Sequence, residues 1–279
     1  MTTNTNVLLP QKTTDSAATR LLALSAMSWL VVATVGQWIF GGYILLMYVR
    51  TAILGNFSRW NDVLPKGYVA GDWKGNLVVG VHVLLASVMV IGGPLQLIPQ
   101  VRRNFPRFHR WLGRLYATLA MLISAAGLTM VWTRGSVGDT TQHVSISIQA
   151  VYIIAFALLT VHYARTRQFR THEKWALRLF MVANGVWFFR IGLMCWLIIN
   201  GGPVGFDPKT FTGPFLTILS VFTYAVPLSL IMLELYWYAQ KRQNRAVSLL
   251  TATLIFLCTL ITAIGIFGAT MGMWLPRME

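Results

Sequence analysis

Seven apolar stretches, near 22–49, 76–99, 108–133, 142–164, 173–199, 214–239 and 247–274, leave this chain almost no choice of environment. A helix that crosses the hydrocarbon of a bilayer needs about 20 mostly apolar residues in a row, with every backbone group bonded within the helix. Each stretch meets that length. Hydrophobic residues make up 56% of the chain and charged ones only 11%, more apolar surface than a soluble domain of this size needs. The expected fold is an all-α integral membrane protein of about seven transmembrane helices. The first stretch is too long for a signal-peptide core and has no small-residue cleavage site after it, so it is expected to remain.

The charges give the expected orientation. The formal net charge is +15, which in a soluble protein would suggest nucleic acid. Here the basic residues crowd alternate loops, and no nucleic-acid partner is expected. Arg102, Arg103, Arg107, Arg110 and Arg114 share one connection; Arg165, Arg167, Arg170, Lys174 and Arg178 share the next on that side; Lys241, Arg242 and Arg245 share the third. The intervening loops are poorer, with Arg134 against Asp139 and Lys209 against Asp207, and the 51–75 loop sets Arg59, Lys66 and Lys74 against Asp62 and Asp72. By the positive-inside rule the chain runs N-in/C-out. The reading is a multi-pass protein of the bacterial cytoplasmic (inner) membrane.

Residues 1–20 are polar and Thr-rich and are expected to form a disordered cytoplasmic tail. Residues 21–279 read as one transmembrane helical domain, with a core over 76–199 and extra helices at 22–49, 214–239 and 247–274. The outer loop at 51–75 carries Trp60, Tyr68 and Trp73, suited to the membrane interface or to a membrane or periplasmic protein partner. Cys195 and Cys258 both lie within spans, which suggests neither a disulfide frame nor a cysteine-rich metal site.

Histidines supply the functional lead. His82 is followed 27 residues later by His109, and His143 is followed 29 residues later by His172. His82 and His143 lie toward the outer face, His109 and His172 at the inner ends of spans three and five. His162 is the odd one out. The 19 residues from His143 to His162 separate outer and inner layers by roughly 28 Å. Two ligand pairs at such depths would bracket the bilayer core, as a transmembrane electron carrier requires. From His109 a helical stripe carries Gly113, Ala117, Ala120, Ser124 and Gly127; from His82 it carries Ala86, Met89, Gly93 and Gln96. Small residues beside a ligand admit a flat macrocycle, but they equally let two membrane helices approach with no cofactor between them.

Span five adds a buried charge. Arg190 lies 18 residues, five helical turns, after His172 and so on the same face of an unbroken helix. Only Glu173 and Glu234 are acidic residues placed in or beside a span, and both are near the inner side. Arg190 therefore has no evident carboxylate partner; a haem propionate, a quinone oxygen, a lipid phosphate or carbonyls freed by a broken helix would each satisfy it. Arg110, Arg114 and Arg178 sit beside the inner histidines and have two readings, propionate partners or anionic-headgroup contacts. Hydrolase and nucleotide chemistry find no support, since the chain has no His-Glu-x-x-His, no Gly-x-Ser-x-Gly and no phosphate-binding glycine loop.

There is also a weak internal repeat. His109-Arg-Trp-Leu-Gly-Arg114-Leu-Tyr116 echoes His172-Glu-Lys-Trp-Ala-Leu-Arg178-Leu-Phe180, each opening a helix on the inner side. Helices two to five then read as a four-helix core built from two similar hairpins, with chance matching of two Arg- and aromatic-rich boundaries as the alternative.

The stretch from His82 to Arg190 resembles a family of bacterial multi-pass membrane proteins, the domain-of-unknown-function family 2306. The matching elements are His82, Gly93-Pro94-x-Gln96, Arg102 or Arg103, Pro106-x-x-His109-Arg110-x-x-Gly113-Arg114-x-Tyr116, and His172-x-x-Trp175-x-x-Arg178 with Arg190. The usual second box reads His-Arg-x-Trp, whereas Glu173 and Lys174 follow His172 here, and His143 is outside the pattern. The resemblance implies a membrane bundle and brings no activity. More distantly, the layout is similar to that of cytochrome b561-type electron carriers, in which alternate core helices share two haems through paired histidines.

Two functions stay open at this point. In the first, the protein carries electrons between a quinol or other reductant and an acceptor, using one or two haem b groups. His82 with His143 would ligate an outer haem and His109 with His172 an inner one; Arg190, Arg114 and Arg178 would hold propionates, and Gln96 would bond a haem edge or a quinone. In the second, the chain is a cofactor-free membrane subunit that scaffolds a partner complex or binds lipid.

Overall fold

A computed structural model describes residues 16–64, 66–135 and 138–278. Among them the chain is almost wholly helical, with one isolated β-bridge, between Asp207 and Thr212. Helix α1 spans Ser16–Ile44, α2 Trp73–Leu97, α3 Pro106–Arg134 and α4 Thr140–Arg165. The fifth crossing is broken into α5 (Phe169–Ala183) and α6 (Gly185–Asn200), bent by 48°. The sixth is broken too: α7 (Pro214–Ser220) runs through a wide π turn (Val221–Ala225), and α8 (Leu228–Arg242) follows at 49°. Helix α9, Arg245–Ala269, closes the bundle and ends in a further π turn, Thr270–Trp274. Five helices are long and apolar enough to cross a membrane, or seven if each bent pair is one span. This is an integral multi-pass membrane protein, and its outward side chains, such as Leu24, Val151, Leu158 and Phe267, are exposed as lipid contact requires.

Local chemistry fixes the ends. Asp72, Asp139 and Asn244 cap α2, α4 and α9 by accepting hydrogen bonds from the amides of Gly75, Gln142 and Val247. Pro106 opens α3 where no amide is needed, and Gly135, with φ 58°, closes it in a left-handed turn. The first helix begins at Ser16, so residues 16–20 belong to α1 and not to the expected tail; residues 1–15 lie outside the described residues.

The first crossing runs on through Ile53, 37 residues in all, about 55 Å and well beyond a bilayer core. Its projecting end is covered by the 54–72 loop. Trp60, expected at an interface, is instead buried: its indole donates to Thr51 Oγ1 at 2.9 Å and packs 5.4 Å from Tyr48. Tyr68 stacks on Phe57, and only Trp73 of the three is exposed.

Helices α2, α3, α4 and α5 pack in sequence, each on the next or across Gly93, which meets Tyr116 and Phe180. Beyond the bend the fifth crossing leaves this group, and α6 packs on α9. The four-helix core therefore holds only in the half nearer the basic loops 99–110, 165–174 and 240–245, hereafter the basic end.

Candidate functional site

The two small-residue stripes face each other. A Cβ on Gly113 of α3 would lie 3.1 Å from Gln96 Oε1 of α2, Gly93 lies against Tyr116, and a Cβ on Gly127 would lie 3.5 Å from His82 Cε1. Helices α2 and α3 pack on each other along these stripes, while Gly93, Gln96, Gly113 and Ala117 toward the basic end also line a cavity. His82 is enclosed there, its ring against the backbone of Ile123 and its Nδ1 without a hydrogen bond. His143 is placed elsewhere, edge-on to Trp132 at 5.9 Å, in a small network where Trp132 Nε1 donates to Ser147 Oγ and Ser147 donates to the His143 carbonyl. Ile123 and Gly127 lie five to nine residues before Trp132 on α3, so these contacts differ in height by about 7–14 Å. His82 and His143 are thus held by different parts of α3. His162 is exposed beside Tyr163.

The inner pair fares differently. A cavity of about 1410 Å³ enters from the basic end between α2–α5 on one side and α1, α8 and α9 on the other. His109, His172, Gln96 and Arg114 all line it. His109 stands at the start of α3 because Pro106 begins that helix three residues earlier; His172 stands in the first turn of α5. His172 is near enough for its charge to act on His109, as do those of Arg102 and Arg110. His172 Nδ1 is 3.0 Å from the Thr160 carbonyl. As a donor there, Nδ1 carries the proton, which leaves Nε2 with the lone pair, the arrangement that orients imidazole ligands. His109 Nδ1 and Gln96 Nε2 are buried without hydrogen bonds.

The walls are otherwise apolar: Trp29, Tyr116, Leu179 and Phe180 line the inside, while Arg110 and Arg114 stand exposed at the rim. Glu173, the departure from the usual second box, pairs with Arg102 at 3.6 Å across the mouth. The sequence draws no attention to Tyr116, Thr160 or Trp29 as site residues. Their types are ordinary in membrane helices, and only the fold brings α1 to the histidines.

Two arginines lie outside this cavity. Arg178 is sandwiched between Trp175 and Trp237, 4.7 and 4.9 Å from the ring centres, and its Nε donates to Glu234 Oε1 at 2.7 Å. It is consumed in joining α5 to α8 and is not placed to hold a cavity ligand. Arg190 does not join His172 in the cavity wall, and the 48° break at Asn184 lies between them. Side chains meet carbonyls at that break: Gln149 Nε2 donates to Val182 and Asn184 Nδ2 to Phe180. Among the described residues no group of three or more His, Cys, Asp or Glu side chains could hold a metal ion, so any metal here would rest on the paired histidines and its own macrocycle.

No curated protein matches the chain. Nor does any solved structure. One family model does, that described as Predicted membrane protein (DUF2306), over residues 79–237. The match opens three residues before His82, takes in both inner histidines and Arg190, and ends in α8. It leaves out α1 and α9, which supply the remaining cavity wall. Covering more than half of the 279 residues, it shows that the chain belongs to the DUF2306 family of membrane proteins.

Proposed function

We propose that this protein is a haem b-binding electron carrier with a single haem in the cavity at the basic end. His109 and His172 would hold its iron, Arg110 and Arg114 would meet its acidic groups at the rim, and Gln96 would offer its free amide to a ring edge or to a quinone. The observation that carries this reading is the convergence of two histidines with available ring nitrogens on one apolar-walled cavity. Its volume of about 1410 Å³ exceeds the ~300–1,000 Å³ of ordinary small-molecule pockets. A flat amphipathic group with acids at one edge matches apolar walls with arginines at the mouth. Bis-imidazole ligation and burial would supply reversible one-electron chemistry. With the basic loops cytoplasmic, as the positive-inside rule favours, the cavity opens toward the cytoplasm of a bacterial cell and exchanges electrons there or with a membrane quinol. His82 and His143 carry no second haem in this reading, because different segments of α3 engage them.

Reduced-minus-oxidised absorption spectra of protein purified from haem-replete cells test it. We expect a b-type α-band and a strong Soret band, abolished or cut at least ~tenfold in His109→Ala and His172→Ala and kept in His82→Ala. Colourless wild-type protein overturns the reading, and a Soret band lost only in His82→Ala moves the ligand to α2. A colourless result would assign the cavity to a lipid or quinol and make the chain a cofactor-free subunit.

A further inference from the structure

The half-buried charge that the cavity does not use, Arg190, stands within a second constellation. Arg190 Nε is buried and makes no hydrogen bond. All six acidic side chains among the described residues are engaged elsewhere. Asp72 and Asp139 cap helices, Asp207 accepts from the Lys209 amide, and Glu173 and Glu234 pair with Arg102 and Arg178. Asp62, whose charge reaches Tyr43, pairs with Arg59 at 3.6 Å.

What surrounds Arg190 is aromatic. Its guanidinium lies 5.7 Å over the Phe40 ring, Phe40 lies 5.1 Å from Trp274, and Trp274 lies 6.0 Å from Tyr43. Trp187, one turn before Arg190, rests against Gly36 of α1. Several buried polar atoms here lack partners: the indole N–H of Trp187 and of Trp274, which share one packed cluster with Phe40, and both amide atoms of Gln37, one turn before Phe40 on α1. Trp187 is 2% exposed, and Trp274 and Gln37 are both at 0%. None of these residues lines the haem cavity.

Indole and guanidinium N–H groups only donate, so whatever meets them must accept. The positive charge, held among rings in a membrane interior, also needs a negative one, since unpaired charge there is costly. Water or a neutral carbonyl would accept the hydrogen bonds without balancing the charge, and the face of Phe40 offsets only part of it. We infer that Arg190, with Trp187, Trp274 and Gln37, forms an internal site for one monovalent anion, either a halide or a single carboxylate group. The carboxylate has two sources, a free small acid or the head of an amphiphile arriving through the lipid. The site joins α6, inside the family match, to α1 and α9 outside it.

Thermal unfolding of the purified full chain in detergent, in Tris–sulfate buffer free of halide and carboxylate and titrated with chloride, bromide, acetate or decanoate, tests the site. We expect a saturable rise in Tm of about 3–6 °C with chloride, bromide or acetate, absent in Arg190→Gln. Decanoate acting at a concentration at least ~tenfold lower than acetate identifies an amphiphile as the source; equal potency identifies a free anion. A flat response to every anion, or one unchanged in Arg190→Gln, overturns the proposal. If Arg190→Gln does not fold, chlorine-35 line broadening by the wild-type protein decides the matter, being reversed by acetate if the site exists and absent if it does not. The haem spectrum is read separately, so either reading can fail alone.

Discussion

Gly265→Leu is expected to lower the melting temperature by about 6–12 °C. Any Cβ at this position would fall inside the backbone carbonyl of Ile191 on α6. Backbone cannot step aside as a flexible side chain does, so α6 and α9 must separate. Gly268 and Gly272 continue the same face against Met194 and Ile198, and Ala269 between them is fully buried. Membrane helices gain little from hydrophobic exclusion and depend on such close contact. Forcing extra methylenes into packed helices costs typically 1–3 kcal/mol. Here the whole seam opens, and about 3 kcal/mol corresponds to the stated shift for a chain of this size. Gly42→Leu is the control. No atom lies within 4 Å of the place its Cβ would take, so it should melt within about 1 °C of the parent. Equal melting of the two variants would show that the α6–α9 seam is not what holds the bundle. Because Ile191 adjoins Arg190, the anion response should vanish in Gly265→Leu as well.

The parts legible in the sequence are those written in consecutive residues. The five unbroken spans, the apolar runs that form the two bent pairs, the basic loops and the family boxes are readable there, because lipid imposes length and apolarity locally. Pro227 within 214–239 is a visible warning of the second break. The first break is harder to see: Asn184-Gly185 is turn chemistry hidden in an apolar run, and an unbroken helix through it lines Arg190 up with His172, whose cavity Arg190 does not join. Arg178 shows the other failure. Its repeat with Arg114 suggests a shared role, yet Arg114 lines the cavity while Arg178 is bound to Glu234, 56 residues away. Long-range pairing of that sort has no local signature. The inner histidines are evident in the sequence and do share a cavity, whereas the paired stripes beside His82 and His109 pack on each other.

The break at Asn184 leads to a second large effect. Gln149→Leu should lower the melting temperature by about 4–10 °C while leaving the Soret band per mole of folded protein unchanged. Gln149 is buried on α4, and its amide donates at 2.6 Å to the Val182 carbonyl at the bend, whose backbone donor is the Asn184 amide only two residues on. Gly185 has no side chain where the Gln149 amide passes, so the two residues fit as a lock around the bend. Tyr152, about one turn further along α4, bonds the Ala225 carbonyl at the other broken crossing. One helix therefore clamps both bends, and leucine keeps the volume of Gln149 while removing its donor. Taking a side-chain donor from a buried carbonyl that keeps only a short-range backbone donor costs about 1–3 kcal/mol. The bend carries Phe188 and Ile191 over the cavity, but His109 and the first turn of α5 lie below it and keep their positions. Stability and haem retention should thus part company in this variant. Unchanged melting would mean that the bend is held by α6–α9 packing alone, and loss of the Soret band in folded protein would mean that the cavity's ceiling, not only its histidines, holds the haem.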